Sequence, residues 1–183
     1  MITLLDAGRY ARTPWKNGGG VSVEIASDGD VWRFGRTQIA AAGPFSDHTG
    51  FDRMQVLVAG GGLVLETPDG EIDVRRPFKP VRFAGETTIM SRLEAGPVEV
   101  VNLMGDRGRV RIDLAVLRAG ETRRLGPGVH IAYCPAGQAA VRLQGAEYIL
   151  QADGGLRIED ADGAVATCSA GPIVMGSVAY VSL

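Results

Sequence analysis

An all-β fold is predicted for this chain by three observations. Its 26 glycines and 9 prolines recur at short intervals along 183 residues, and the segments between them are short and rich in Val, Ile, Leu and Thr. Two segments alternate with a two-residue period, the pattern of a half-buried strand: Val21, Val23 and Ile25 against Ser22 and Glu24, and Val110, Ile112, Leu114 and Val116 against Arg109, Arg111 and Asp113. Turn chemistry recurs as well, in Pro68-Asp69-Gly70, Asp153-Gly154-Gly155 and Asp162-Gly163, which read as hairpin turns. Helical spacing never persists, and so many short strands imply a sandwich or a barrel.

In chain order, the strand candidates after 21 to 25 are 31 to 41, 52 to 58, 62 to 67, 71 to 75, 79 to 84, 88 to 93 and 97 to 104. A second series follows the alternating strand at 109 to 116: 129 to 134, 139 to 143, 147 to 151, 156 to 159, 164 to 168 and 173 to 182. Gly105-Asp106-Arg107-Gly108 lies between the two series and is polar and glycine-flanked, so it divides the chain into modules 1 to 107 and 108 to 183. Ala95-Gly96-Pro97-Val98 and Ala170-Gly171-Pro172-Ile173 are nearly the same tetrapeptide, each leading into an apolar strand, a weak sign of duplicated halves.

Composition excludes several classes of function. A hydrophobic content of 45% is enough for a sizeable core, and 19 basic against 21 acidic residues leave a net charge of −2, with no polybasic tract for nucleic acid. No run approaches the ~20 apolar residues of a membrane span, and Asp6 interrupts any leader at the N-terminus, so the chain reads as soluble and cytoplasmic. Cys134 and Cys168 have no CxxC partner and read as reduced, buried thiols. Only two histidines are present, His48 and His130, so a three-histidine metal centre is excluded. His130 sits in an apolar strand as a structural residue.

Trp15-Lys16-Asn17-Gly18-Gly19-Gly20 is the strongest local signal. Three consecutive glycines call for positive φ or a close backbone approach, while Lys16 supplies charge and Asn17 a two-way hydrogen-bonder. The same hexapeptide also reads as a surface turn anchored by Trp15. Strand 97 to 104 places Asn102 in a row with Val98, Val100 and Met104, where an amide either ties two strands together or binds a ligand. Strand 31 to 41 puts Arg36 and Gln38 on the face of Trp32 and Phe34, which suggests that both project into the space lined by the aromatic pair, with Glu24 as a charge partner for Lys16 or Arg36. The loop from Gly43 to Arg53 gathers Ser46, His48 and Arg53. Arg53 suits bidentate capture of a carboxylate, or equally pairs with Asp47 or Asp52. No GxSxG surrounds Ser46, so a serine hydrolase is rejected. Gly60-Gly61-Gly62 lacks the Lys-Ser or Lys-Thr of a phosphate loop and reads as a tight turn.

Taken in order, these pieces resemble the HutD/Ves family of bacterial bicupins. The resemblance rests on Trp15 to Gly20; Gly43-Pro44-Phe45-Ser46 with Gly50 and Arg53; Pro77-Phe78 with Phe83-Ala84-Gly85-Glu86; and Gly96-Pro97 with Asn102-Leu103-Met104. It covers residues 15 to 107 and implies two cupin-like β-barrel modules, the first carrying a pocket. It also implies a modulator of histidine utilisation that binds a pathway intermediate. The candidate ligand-binding residues carried over are Lys16, Asn17, Glu24, Ser46, Arg53 and Asn102, with Arg36 and His48 beside them. No catalytic residue, metal ligand or cofactor is assigned. The expected partner is a small anionic metabolite such as urocanate, formiminoglutamate, formylglutamate or formate. Two alternatives stay open. One is an enzyme acting on a small carboxylic acid, with Glu24 or His48 as base and Lys16 or Arg53 at a developing oxyanion. The other is a partner-binding module or homodimer that pairs exposed strand edges.

Overall fold

A computed structural model describes residues 1–181. It contains 19 strands and one short 3-10 turn, Ala7–Arg9, which is capped by the Asp6 carboxylate accepting from Gly8 N at 2.9 Å. No α-helix occurs among the described residues. The chain forms two compact units, Ala11–Val110 and, separately, Met1–Tyr10 together with the chain from Arg111 onward.

The first strand, β1 (Ile2–Leu5), belongs to the second of these units. The unit Ala11–Val110 contains β2 (Ala11–Pro14), β3 (Gly20–Asp28), β4 (Trp32–Ile39), β5 (Gly43–Pro44), β6 (Phe51–Ala59), β7 (Leu63–Thr67), β8 (Gly70–Val74), β9 (Val81–Ala84), β10 (Met90–Leu93) and β11 (Val98–Asp106). They form a six-stranded sheet, β2-β3-β4-β11-β6-β9, and a four-stranded sheet, β5-β10-β7-β8. Both contribute to one core in which Ile39, Leu57, Leu63, Leu65, Val74, Val98 and Val100 are nearly or fully buried. Burial of this kind contributes roughly 1.5–3 kcal/mol per large aliphatic side chain, so the core supplies most of what holds this unit together.

The other unit repeats the plan. It comprises β1 with β12 (Val110–Leu117), β13 (Thr122–Arg124), β14 (Val129–Tyr133), β15 (Gln138–Leu143), β16 (Ala146–Gln151), β17 (Gly155–Glu159), β18 (Val165–Ala170) and β19 (Ile173–Tyr180). Its sheets run β1-β17-β14-β19-β12 and β13-β18-β15-β16, around a core that includes Leu143, Leu156, Ile158, Ile173, Met175 and both cysteine side chains. Cys134 and Cys168 are free and buried, and burial pushes both thiols up from their usual pKa. The two near-identical tetrapeptides hold corresponding places: Gly96 and Gly171 both take positive φ, +71° and +76°, two residues before β11 and β19.

The architecture is therefore all-β, in two compact units that each hold two sheets. It differs from the sequence reading in three places. The boundary lies at 110/111, and the first ten residues belong with the C-terminal unit, because Ile2–Leu5 pairs antiparallel with Gly155–Glu159. The short strands β1, β2, β5 and β13 carry too little periodicity to stand out. Of the three turns, only Pro68-Asp69-Gly70 closes a hairpin, β7 with β8; the other two carry the chain between sheets. The last strand is described to Tyr180, and residue 182, the end of the 173 to 182 segment, lies outside the described residues.

His130 is structural, as expected. It is 3% exposed, its Nε2–H donates to the Gly126 carbonyl at 2.9 Å, and Nδ1 accepts from the Ser177 hydroxyl at 2.9 Å. Burial holds its pKa below the usual imidazole value. A depressed folded pKa makes its stabilising contribution complete above about pH 6.5, where the unfolded histidine is neutral too, and progressively lost as pH falls from there toward the folded value. The urea midpoint should drop between pH 7.5 and pH 5. Much of that drop should disappear in His130→Gln; an unchanged drop would remove this histidine as its source.

Candidate functional site

One face of the six-stranded sheet carries a polar row that crosses the strands. Ser22 on β3 is registered opposite Thr37 on β4, and Asn102 on β11 opposite Gln55 on β6. The Trp15 indole Nε1–H donates to Ser22 Oγ at 2.9 Å, and Ser22 and Thr37 hydroxyls lie 3.5 Å apart. Asn102 Nδ2 donates to Thr37 Oγ1 at 3.1 Å, and Gln55 Nε2 donates to Asn102 Oδ1 at 2.9 Å. Each group thus meets part of its hydrogen-bonding requirement from the next strand. Gln55 Oε1, in a side chain 1% exposed, finds no partner.

Above this row opens a cavity of about 650 Å³, lined by the 13–17 segment, β3, β4, the loop after β5, β6 and β11. Seven of the eight sequence candidates line it: Lys16, Asn17, Glu24, Ser46, His48, Arg53 and Asn102. Arg36 does not. Side chains alternate along β4, and the face with Arg33, Gly35, Thr37 and Ile39 is the one that lines the cavity, whereas Trp32 and Phe34 are buried on the opposite face, which Arg36 shares. Arg36 forms an ion pair with Glu99 instead, and Gln38 is exposed. Glu24 likewise pairs with neither Lys16 nor Arg36. Its carboxylate receives Arg33 Nε at 2.8 Å and the Ser27 hydroxyl at 2.8 Å.

Arg53 dominates the electrostatics. Its guanidinium lies 5.3 Å from the Phe45 ring centre and 5.0 Å from that of Phe83, and burial lowers its pKa to about 10. Asp52 is taken by Arg82 and Arg107, and Asp47 accepts from the Thr49 hydroxyl. Among the described residues, neither Arg53 nor Lys16 has a carboxylate partner. Arg53 remains cationic at neutral pH, and the two rings favour that charge through their π faces without neutralising it. His48 is held below the usual imidazole pKa by burial first and then by Arg53 and Arg33, so it faces the cavity as a neutral donor and acceptor. The lining therefore presents three cations, Lys16, Arg33 and Arg53, against one carboxylate.

The glycine run builds one wall. Asn17 Oδ1 accepts from Gly19 N at 2.9 Å, Gly18 takes φ +72°, and Trp15 N donates to Gly20 O at 2.9 Å. A Cβ on Gly20 would sit 2.4 Å from the Gln38 carbonyl oxygen and 3.1 Å from the Trp15 ring. The hexapeptide is thus a turn, and that turn is what brings Trp15 and Lys16 to the cavity. The donor set does not suit a divalent cation: it offers one imidazole and one carboxylate already engaged by Arg33, among three positive charges. Among the described residues, no group of three or more His, Cys, Asp or Glu could hold a metal ion.

Comparison with known proteins agrees with this geometry at the level of family. The model of the family described as HutD matches residues 7–175. The chain belongs to the HutD family. An uncharacterised 21.2 kDa protein in the hutC 3′ region of Pseudomonas putida is 33% identical over 119 residues, 62% of this chain, and the match spans 63% of that relative's length. A conserved protein of unknown function from Pseudomonas aeruginosa PAO1 superposes with a TM-score of 0.89 at 25% identity over the whole of both chains. HutD from Pseudomonas fluorescens SBW25, solved in a formate condition, gives 0.86 at 24% identity, also over both whole chains. A salicylate 1,2-dioxygenase from Pseudaminobacter salicylatoxidans shares the fold alone, with a TM-score of 0.60 at 10% identity over 85% of this chain and 75% of its own. No helix in the described residues of this HutD-family protein is long and apolar enough to cross a membrane.

Sequence reasoning overlooked Ser22, Arg33, Thr37, Gln55 and the packing of Arg53 between Phe45 and Phe83. Gln55 was within reach, since it stands two residues from Arg53 on the same strand and must share its face.

Proposed function

We propose that this HutD-family protein binds a small carboxylate metabolite in its N-terminal module and thereby modulates histidine utilisation. The observation that carries this reading is Arg53, a largely buried guanidinium with no carboxylate partner among the described residues, facing a cavity of about 650 Å³. A buried cation costs several kcal/mol of lost hydration unless a counter-charge accompanies it, so a carboxylate entering the cavity gains a desolvated, charge-assisted pair. Lys16 and Arg33 at the cavity wall add long-range attraction, and Ser46, His48 and Asn17 supply orienting hydrogen bonds. The cavity's size fits the range for small-molecule sites.

A thermal-shift series with urocanate, formiminoglutamate, formylglutamate and formate tests the reading. At least one should raise the melting temperature, by an amount that grows with its concentration. Titration followed by tryptophan fluorescence should report the same event. Trp15 lines the cavity while Trp32 is buried away from it, so Trp15→Phe should remove most of the signal change. Flat melting curves with all four compounds would reject this group of ligands.

A further inference from the structure

The unsatisfied carbonyl of Gln55 bears on what the ligand must be. Its side chain is 1% exposed and lines the cavity, and Oε1 has no hydrogen-bond partner. A buried acceptor left unpaired is costly, and native interiors rarely tolerate one without a partner supplied from elsewhere. The orientation of the amide follows from its surroundings. Nε2 is used by Asn102 Oδ1, whose own Nδ2 is used by Thr37 Oγ1, so the amide chain spends these donors along the sheet and leaves Gln55 Oε1 as its unpaired acceptor. Arg53 stands two residues away on the same face of β6, and its positive charge favours the negative end of the Gln55 amide dipole toward the cavity.

We propose that Gln55 is a specificity-determining residue, selecting carboxylates that also carry an N–H or O–H donor placed to reach Gln55 Oε1 while Arg53 holds the carboxylate. This rests on the carboxylate-binding reading above and sharpens it to a bifunctional ligand. A molecule with a carboxylate alone would satisfy Arg53 and leave the Gln55 carbonyl buried and dry. A molecule with a ring oxygen at that position would set two acceptors against each other. Sites built to hydrogen-bond a ligand N–H reject isosteres lacking it far more strongly than apolar pockets reject a change of size.

Matched five-membered rings isolate that one donor. Pyrrole-2-carboxylate, thiophene-2-carboxylate and furan-2-carboxylate, together with the corresponding 3-substituted acrylates as longer probes, are titrated calorimetrically into the full chain and into Gln55→Met. In the wild type, the pyrrole of at least one length should bind at least about tenfold tighter than its furan counterpart, with the thiophene no better than the furan. In Gln55→Met the pyrrole should lose that advantage while the thiophene keeps or gains affinity. Equal wild-type affinities within each set would overturn the proposal even with Gln55→Met unfolded, as would an unchanged preference in a folded Gln55→Met. If carboxylates of every kind bind only when Gln55 is intact and without regard to ring, the residue is structural and the proposal fails while carboxylate binding stands. If no carboxylate binds the wild type at all, the carboxylate reading fails and this inference with it.

Discussion

Arg53→Met should raise the melting temperature of the ligand-free protein while removing carboxylate binding. The two effects have opposite sign because the same group is responsible for both. In the free protein the guanidinium is largely buried against Phe45 and Phe83 with no carboxylate partner among the described residues, and burial has already lowered its pKa to about 10. A methionine of similar length carries no charge to desolvate; replacing buried ion pairs by apolar side chains ranges from neutral to stabilising by about 1–4 kcal/mol, and a gain of about 1 kcal/mol is expected here. In a unit of this size that corresponds to a rise of roughly 4–8 °C. Carboxylate affinity should fall at least ~100-fold, as expected when one member of a buried charge pair is truncated. Affinity in the wild type should hold from neutral pH to about 9 and then decline as Arg53 deprotonates near 10, since only the protonated form attracts the carboxylate. A variant that melts lower than the wild type, or one that still binds, would mean that Arg53 is a packing residue.

Gly85→Ala should destabilise the N-terminal module by about 2–3 kcal/mol, the range for forcing extra volume into a filled site, and weaken ligand binding with it. Gly85 N donates to Phe51 O at 2.7 Å, and His48 N donates to Gly85 O at 3.0 Å, so β9 and the 46–51 loop are clamped together at this residue. A Cβ there would lie 2.1 Å from the His48 carbonyl oxygen, well inside contact distance, and backbone rather than a flexible side chain would have to move. The loop carries Ser46 and His48 to the cavity, so its displacement reaches the ligand. Gly43→Ala is the control: a Cβ at Gly43 meets nothing within 4 Å, and stability should change by no more than about 0.5 kcal/mol. Equal denaturation midpoints for the two variants would sink the steric argument.

These positions also show what a sequence reveals. Lys16, Asn17, Ser46, Arg53 and Asn102, all of which line the cavity, stand out in the sequence because each is a polar or charged residue in a setting of glycines or apolar alternation that needs a reason. Arg36 misled because β4 has apolar residues on both faces: Trp32 and Phe34 make one face look like the wall of a pocket, while Thr37 and Gly35, which give no such signal, mark the actual one. Gln55 went unseen because its neighbours Met54, Val56 and Leu57 are all buried, so no clean alternation isolates it. The Phe45 and Phe83 rings that flank Arg53 are 38 residues apart in sequence and are joined only by the fold. Turn chemistry placed a division at 107/108 where the compact units meet at 110/111, and the pairing of β1 was not legible, since four residues of weak alternation find their partner about 150 residues further on.

That pairing sets an order of events during synthesis. Ile2–Leu5 is made before its neighbour Gly155–Glu159, which follows about 150 residues later, at ~5–20 residues per second roughly 8 to 30 s. Ala11–Val110 has all its strands long before that and can close around its own core while the opening segment waits. The unit from Arg111 onward is therefore completed by a strand made about 150 residues before its partner, and Ala11–Val110 is an insertion between two pieces of a single β-structure. A substitution in Ile2–Leu5 would accordingly be felt in the unit that follows Val110.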